Sequence, residues 1–194
     1  MLRRATTTIR VDDTLVLRPA SEEHNEVLLE AFEETWPEVS RAMPWINPDI
    51  PFDSQIQDFL TETEGMGRSG MLHHWVMVRP WDNALLGLIG FDRVTRSGKA
   101  HWNLGYWVRS SEQQHGFARK AINAVLQWMG EVEESWIELK VDPNNPPGRS
   151  TVMRAVRDWK GERCIDGDSA ITVAGVRTKH ECHLIRTGPS LGPR

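Results

Sequence analysis

The densest chemistry in the sequence lies between Gly105 and Ala118. Gly105-Tyr106-Trp107-Val108-Arg109 reads as the end of a strand, and Ser110-Ser111-Glu112-Gln113-Gln114-His115-Gly116 as a polar loop feeding a helix that starts near Phe117. The first amide groups of a helix have no acceptor inside it, so a strand-loop-helix junction with small residues can wrap a phosphate. Gly116 and Ala118 leave the backbone open to close approach, although a glycine at a helix start also serves as plain turn punctuation, and spacing alone leaves both readings open. A second group, His180-Glu181-Cys182-His183, has metal-ligating residue types. It alternates as a terminal strand does, and no second ligand pair stands at zinc-like spacing, which argues against a metal.

Holding such a junction takes a sheet with helices beside it. Thr14 to Arg18 reads as a short strand ended by Pro19, and Ser21 as a helix N-cap with Glu22 and Glu23 in the first turn, where the helix dipole favours anions. Val27, Leu28, Ala31, Phe32 and Trp36 then recur at helical spacing until Pro37. A second helix from Asp53 to about Thr63 presents Ile56, Phe59 and Leu60 on one side, after a loop, Met43-Pro44-Trp45-Ile46, rich in apolar groups. From His74 the period changes. Trp75 to Val78 and Leu86 to Phe91 are short apolar runs bounded by turn residues, and Ala100 to Arg109 is a third strand in which Gly105 predicts a bulge. The stripe Phe117, Ala121, Ile122, Val125, Trp128 and Met129 predicts a long amphipathic helix. Trp136 to Val141 is the next strand, Ser150 to Trp159 a weaker helix, and Thr178 to Ile185 a terminal strand.

The chain has 194 residues, which fits one domain: residues 14–187, with 1–13 as a flexible lead-in and 188–194 as a flexible tail. With 39% hydrophobic and 26% charged residues it can bury a core. Lys plus Arg number 23 against 27 Asp plus Glu, a formal charge of -4 that provides no basic field for nucleic acid. Two cysteines, Cys164 and Cys182, cannot build a disulfide framework and fit a reducing, cytoplasmic compartment. No run of 18 apolar residues and no apolar segment behind Arg3 and Arg4 points to a membrane or to export.

Gln113-Gln114-His115-Gly116-Phe117-Ala118 matches the Gln/Arg-x-x-Gly-x-Gly/Ala signature of the GNAT acetyltransferases, and Leu104-Gly105-Tyr106-Trp107-Val108 resembles the strand before it in the RimJ/RimL-type branch. Leu15-Val16-Leu17-Arg18-Pro19-Ala20, Met43-Pro44-Trp45, Leu86 to Phe91 and Leu139-Lys140-Val141-Asp142-Pro143-Asn144-Asn145 resemble further segments of that branch, in the right order, over about residues 14 to 160. The resemblance implies an α+β, GNAT-like fold: a mixed, mostly antiparallel sheet with two splayed parallel strands, flanked by helices. It implies acetyl-coenzyme A as cosubstrate and no metal. Carried onto this chain, the splayed strands are the one ending at Val108 and the one from Trp136 to Val141. The pantetheine arm follows the backbone of Trp107, Val108 and Arg109, the N–H groups from Gln114 to Ala118 take the pyrophosphate, and Gln113, His115, Phe117 and Asn145 complete the cofactor residues.

The chain departs from the family pattern at three places. The Asn-x-x-Ser arrangement, whose hydroxyl lies near the sulfur, is stretched by two residues between Asn145 and Ser150, so Ser150 stands open as thiolate acid or as helix cap. Asn103 occupies the position where many relatives carry a glutamate base. It can orient but cannot accept a proton, and Glu30, Glu34, His73, His74 and His101 are the other candidate bases. Beyond Trp159 the family Gly-Phe is Gly161-Glu162. Glu34, Trp36 and Trp45 are the residues expected along the acceptor site. An α-amine, with pKa ~7.7 to 8.0 against ~10.4 for lysine, is partly neutral at pH 7 and needs a base less. The leading expectation is therefore an N-acetyltransferase acting on a protein or peptide N-terminal amine, as a monomer or homodimer. The alternatives are a small-molecule amine such as a polyamine, amino acid analogue or aminoglycoside, and a non-catalytic, coenzyme A-binding regulatory module.

Overall fold

A computed structural model describes residues 4–36, 46–47, 49–95, 98–173 and 176–193. Among the described residues nine strands run as β1 (Ile9–Asp12), β2 (Leu15–Pro19), β3 (His73–Val78), β4 (Leu85–Arg93), β5 (Trp102–Val108), β6 (Ser135–Val141), β7 (Glu162–Arg163), β8 (Ser169–Val173) and β9 (Val176–Thr187). Four α-helices accompany them among the described residues: α1 (Asn25–Glu34), α2 (Phe52–Ser69), α3 (Phe117–Gly130) and α4 (Pro146–Asp158). The strand order is β1-β2-β3-β4-β5-β6-β9-β7, with β8 paired to β9. All neighbours are antiparallel except β5 and β6, which α3 joins by the crossover that parallel strands require. Among the described residues no helix is long and apolar enough to cross a membrane.

The sheet is the middle layer of three. On one face the stripe read in the sequence puts Phe117, Ala121, Ile122, Val125 and Leu126 of α3, together with Val152 and Val156 of α4, against Trp75, Met77, Ile89, Trp102, Leu104 and Ile137. Each large aliphatic side chain buried this way contributes about 1.5–3 kcal/mol. On the other face Leu28, Ala31 and Phe32 of α1 and Ile56 and Leu60 of α2 cover Val76, Val78, Leu88 and Trp107. Because strand side chains alternate, β5 divides between the layers: Trp102 and Leu104 face α3 and α4, while Asn103, Gly105 and Trp107 face the α1 and α2 side.

Three sequence expectations are corrected, and two strands are added. Residues 9–12, read as part of a flexible lead-in, form β1, and the segment before it is tied down: Thr6 N–H donates to Gly67 C=O (2.9 Å), and the indoles of Trp75 and Trp128 donate to Thr7 (2.8 and 2.9 Å). Threonines signal polarity, whereas their partners lie far along the chain. α2 continues to Ser69 rather than Thr63, since Gly67 there lies against Thr6, and the helix stops at Gly70, whose φ of 68° ends it. The bulge is not at Gly105. β4 and β5 keep one register from Gly87↔Val108 to Arg93↔Trp102, and the irregularity lies between β3 and β4, where Met77 pairs Gly87 but Val78 pairs Leu85. A Cβ on Gly87 would stand 2.1 Å from the Trp107 carbonyl oxygen, so only glycine lets β5 approach there. Finally, β7 and β8 were not anticipated; they are short and pair only with β9.

Candidate active site

β5 and β6 are bridged at Trp102↔Ile137 and Asn103↔Glu138 and then part, while β6 goes on pairing with β9 through Val141↔Glu181. Which β5 groups face the opening follows from its ladder with β4. Arg109 N–H donates to Leu86 C=O (2.9 Å) and Val94 N–H to His101 C=O (3.0 Å), so the odd-numbered residues exchange bonds with β4. The main-chain groups of Leu104, Tyr106 and Val108 therefore point the other way, toward the gap. The Val108 carbonyl accepts from Gln113 Nε2 (3.2 Å). Of the three residues expected along the pantetheine arm, Val108 presents its backbone to the gap. Trp107 and Arg109 are bonded to β4, and the Trp107 ring packs edge-on against Phe32 (4.8 Å).

The Arg109 guanidinium reaches α1 instead, donating to Glu30 (2.8 Å) and to Glu34. Glu34 also accepts from Ser111 N–H (3.3 Å). Partial burial pushes the Glu34 carboxyl up, but its bonds to Ser111 and Arg109 together outweigh that and hold it below the usual range. Glu34 thus fixes α1 to the loop after β5 rather than standing free for an acceptor. Glu112 secures the same loop from the other side through Arg79 (3.1 Å).

Beyond this brace, Gln113, Gln114, His115 and Gly116 are exposed. Gln114 (φ 65°) and Gly116 (φ 81°) are left-handed, which turns the chain sharply into α3. Gly116 is the N-cap and supplies no side-chain acceptor, and the Cβ position there is open space. The first backbone bond of the helix is Lys120 N–H to Gly116 C=O (3.1 Å). The amides of Phe117, Ala118 and Arg119 precede it and have no acceptor within the helix, so the positive end of the helix dipole opens where β5 and β6 part.

α4 starts at the end of β6. Its N-cap is Asn145, whose Oδ1 accepts from Gly148 N–H (3.1 Å). Ser150, open as acid or cap, is not the cap: it stands exposed one turn inside the helix. The chain's single tyrosine, Tyr106, crosses from β5 and donates to Gly148 C=O (3.4 Å), and burial pushes its phenol pKa up. Its alternation on β5 marked the face it occupies, but not this reach to α4.

Asn103 sits on the α1 and α2 side of β5, between Asp92 of β4 and Glu138 of β6 in register. Neither carboxylate could be matched to Asn103 from spacing, because strand pairing sets the match. Trp36 is 48% exposed at the end of α1, edge-on to Phe52 (5.6 Å), so it is not a core residue. Met43, Pro44 and Trp45 lie outside the described residues. His183, from the apparent metal group, is buried with both ring nitrogens unbonded, and burial lowers its pKa. Among the described residues no three His, Cys, Asp or Glu side chains gather as a metal site needs. A cleft of about 350 Å³ bordered by Arg18, Ser21, Thr63, Glu64 and His74 shares no residue with β5 or α3.

Comparison with known proteins agrees with this geometry. A family profile described as the acetyltransferase (GNAT) domain matches residues 14–155, from β2 into α4. A ribosomal-protein-serine acetyltransferase of Escherichia coli (strain K12) is 23% identical over 156 residues, which are 77% of this chain and 82% of that protein. The fold is shared with a ribosomal-protein alpha-N-acetyltransferase solved in complex with coenzyme A, at a TM-score of 0.76 and 17% identity over 94% of this chain and 99% of that one. It is also shared with a Salmonella typhimurium acetyltransferase that modifies an N-terminal serine of a ribosomal protein, at a TM-score of 0.73 and 16% identity over 91% and 97% of the two chains. With the profile spanning most of the sequence, the chain belongs to the GNAT family and is an acetyltransferase.

Proposed function

We propose that this acetyltransferase takes its acetyl group from acetyl-coenzyme A and delivers it to a primary amine, the α-amine of a protein or peptide N-terminus. One observation carries the reading. The even-numbered main-chain groups of β5 and the uncapped start of α3 meet at the same end of the β5–β6 gap, giving a strand edge for an amide-bearing arm and unbonded N–H groups for a pyrophosphate. The residues present fit that ligand: the Cβ positions of Gly105 and Gly116 are open, and Val108 N–H faces the gap as a donor for a tetrahedral oxyanion. When bound, acetyl-coenzyme A supplies an activated thioester. Gln114 to Ala118 hold its phosphates, Val108 aligns the arm, and Asn103 orients the amine from the opposite face. Ser150 keeps its place as donor to the departing thiolate, on the exposed side of α4.

The amine class is argued from proton chemistry and from the relatives. An α-amine is already partly neutral at pH 7, so it asks less of any base beside Asn103 than lysine does, and the curated relative above is named for acetylating ribosomal-protein serine. A reducing, cytoplasmic setting suits Cys164 and Cys182 as free thiols. The test pairs one peptide with a free N-terminus and blocked lysine against its converse. Faster transfer to the free N-terminus at pH 7 is expected. Equal transfer to lysine overturns the α-amine assignment, and thioester binding without transfer to any amine overturns the enzyme reading in favour of a binding module.

A further inference from the structure

We propose that Asp92 accepts the proton of the incoming amine and that His74 positions it; this rests on the amine-acetylating reading above. Asp92 and Asn103 are direct partners across the β4–β5 ladder, on the face away from α3, so their Cβ atoms lie about 5 Å apart. Two carboxylates flank Asn103, and they differ. Glu138 is 2% exposed, with Lys140 Nζ at 3.8 Å and Cys182 Sγ at 3.9 Å. The Asp92 side chain is 55% exposed and within reach of a solvent-borne amine.

The floor beside this pair is built for close approach. Gly90 and Gly105 face each other one step along the same side of the ladder. A Cβ on Gly105 would meet nothing within 4 Å, so space stands open over it. A Cβ on Gly90 would fall 1.7 Å from His74 Cδ2, so the imidazole lies across that glycine. From there His74 Nε2 stands 3.0 Å from Asp92 Oδ1, Nδ1 stands 3.2 Å from Thr63 Oγ1, and Phe59 stacks on the ring (5.3 Å). With the Thr63 hydroxyl donating to Nδ1, Nε2–H donates to Asp92, which sets the tautomer. Both nitrogens are then engaged, which makes His74 a positioning residue and leaves the outer carboxylate oxygen to react.

The other candidates are held elsewhere. Glu30 and Glu34 bind Arg109, His73 lies on the α3 side among Trp75, Trp102 and Trp128, and His101 Nδ1 accepts from Trp136 N–H at the entry of β5 (3.4 Å). In the reaction the ammonium gives one proton to Asp92, and the freed lone pair forms the N–C bond at the thioester carbonyl. Collapse of the oxyanion breaks the C–S bond, the Ser150 hydroxyl gives its proton to sulfur and regains one from the nitrogen, and Asp92 returns its proton to water.

The test uses the full chain, acetyl-coenzyme A and peptide amines of graded pKa. Asp92→Asn is expected to lower kcat by about 100-fold or more while acetyl-coenzyme A affinity by calorimetry stays within about twofold. The loss should grow with acceptor pKa, which a merely structural role would not cause. His74→Ala should lower kcat by about tenfold with KM little changed, and His74→Gln, which keeps an N–H donor, should recover part of it. Asp92→Glu serves as the second variant if Asn disturbs folding, and retained turnover there supports the assignment. Asp92→Asn turnover within about threefold of the parent, or a loss independent of amine pKa, overturns the proposal while the proposed function stands. A parent enzyme that acetylates no amine overturns both.

Discussion

α3 and α4 both begin just beyond the carboxyl end of a strand, on either side of the same gap, yet their first turns are opposites. α4 has no amide left to give. Pro146 and Pro147 carry no N–H, Gly148 N–H is taken by the Asn145 side chain, and Arg149 N–H donates to Asn145 C=O (2.9 Å). α3 starts on a glycine with no side-chain acceptor, and Phe117, Ala118 and Arg119 keep their amides. The chain therefore satisfies one helix start from within and leaves its neighbour open, where the proposed function puts the phosphates. Asn145, grouped in the sequence reading with the cofactor residues, has its side-chain oxygen engaged by the helix it caps.

The largest effect should come from closing the open start. Gly116→Glu adds a carboxylate where the phosphates are expected, and acetyl-coenzyme A affinity should fall by about 100-fold or more, some 2.7 kcal/mol. Gly116→Asn, a residue that tolerates positive φ, separates this from backbone strain: it should bind far better than the Glu variant in calorimetry. Equal binding by parent and Gly116→Glu would break the comparison.

Acid sets the range in which the two starts can be compared. Burial, helped by the charges of Arg4 and Arg93 and by His74, lowers the His73 pKa from 6.5 to about 4. The unfolded chain then binds more protons between those values, so this stability is present above pH 6.5 and lost as pH falls toward 4. His73 alone should cost about 2 kcal/mol by pH 5, and His24 and His183, also lowered by burial, act in the same direction. Urea midpoints that stay level from pH 7 to 5 would contradict this.

Smaller changes are expected at α4. Asn145→Ala removes the cap and should cost about 1 kcal/mol of stability, with acetyl-coenzyme A affinity within about twofold of the parent. A large loss of affinity would return Asn145 to the cofactor site. Ser150→Ala, on the exposed side of the helix, should change stability by less than about 0.5 kcal/mol. Its turnover carries the information: a fall in kcat without a fall in cofactor affinity keeps the hydroxyl as donor to the thiolate, and normal turnover removes it.

The local half of this arrangement was legible in the sequence. The α3 stripe, the alternation of β5 and the Gly116 junction are set by neighbours within a few residues, where periodicity and turn chemistry apply. What depends on strand pairing was not. Gly105 carries the mark of a bulge, but the irregularity fell at Gly87, where the β5 backbone comes too close for a side chain. Arg109 and Glu34 read as site residues one by one, and their pairing with each other, which withdraws both, is a contact between α1 and the loop after β5. Asp92 gave no signal, because only the register places it opposite Asn103.

Residue-resolved amide spectra recorded during titration with acetyl-coenzyme A test the central claim most directly, since they report each backbone N–H separately. The expected result is shift and exchange protection at Val108 and at Phe117, Ala118 and Arg119, with Gly148 and Arg149 little changed. Perturbation centred on Gly148 and Arg149, or on the cleft beside Thr63, with Phe117 to Arg119 unmoved, would contradict it.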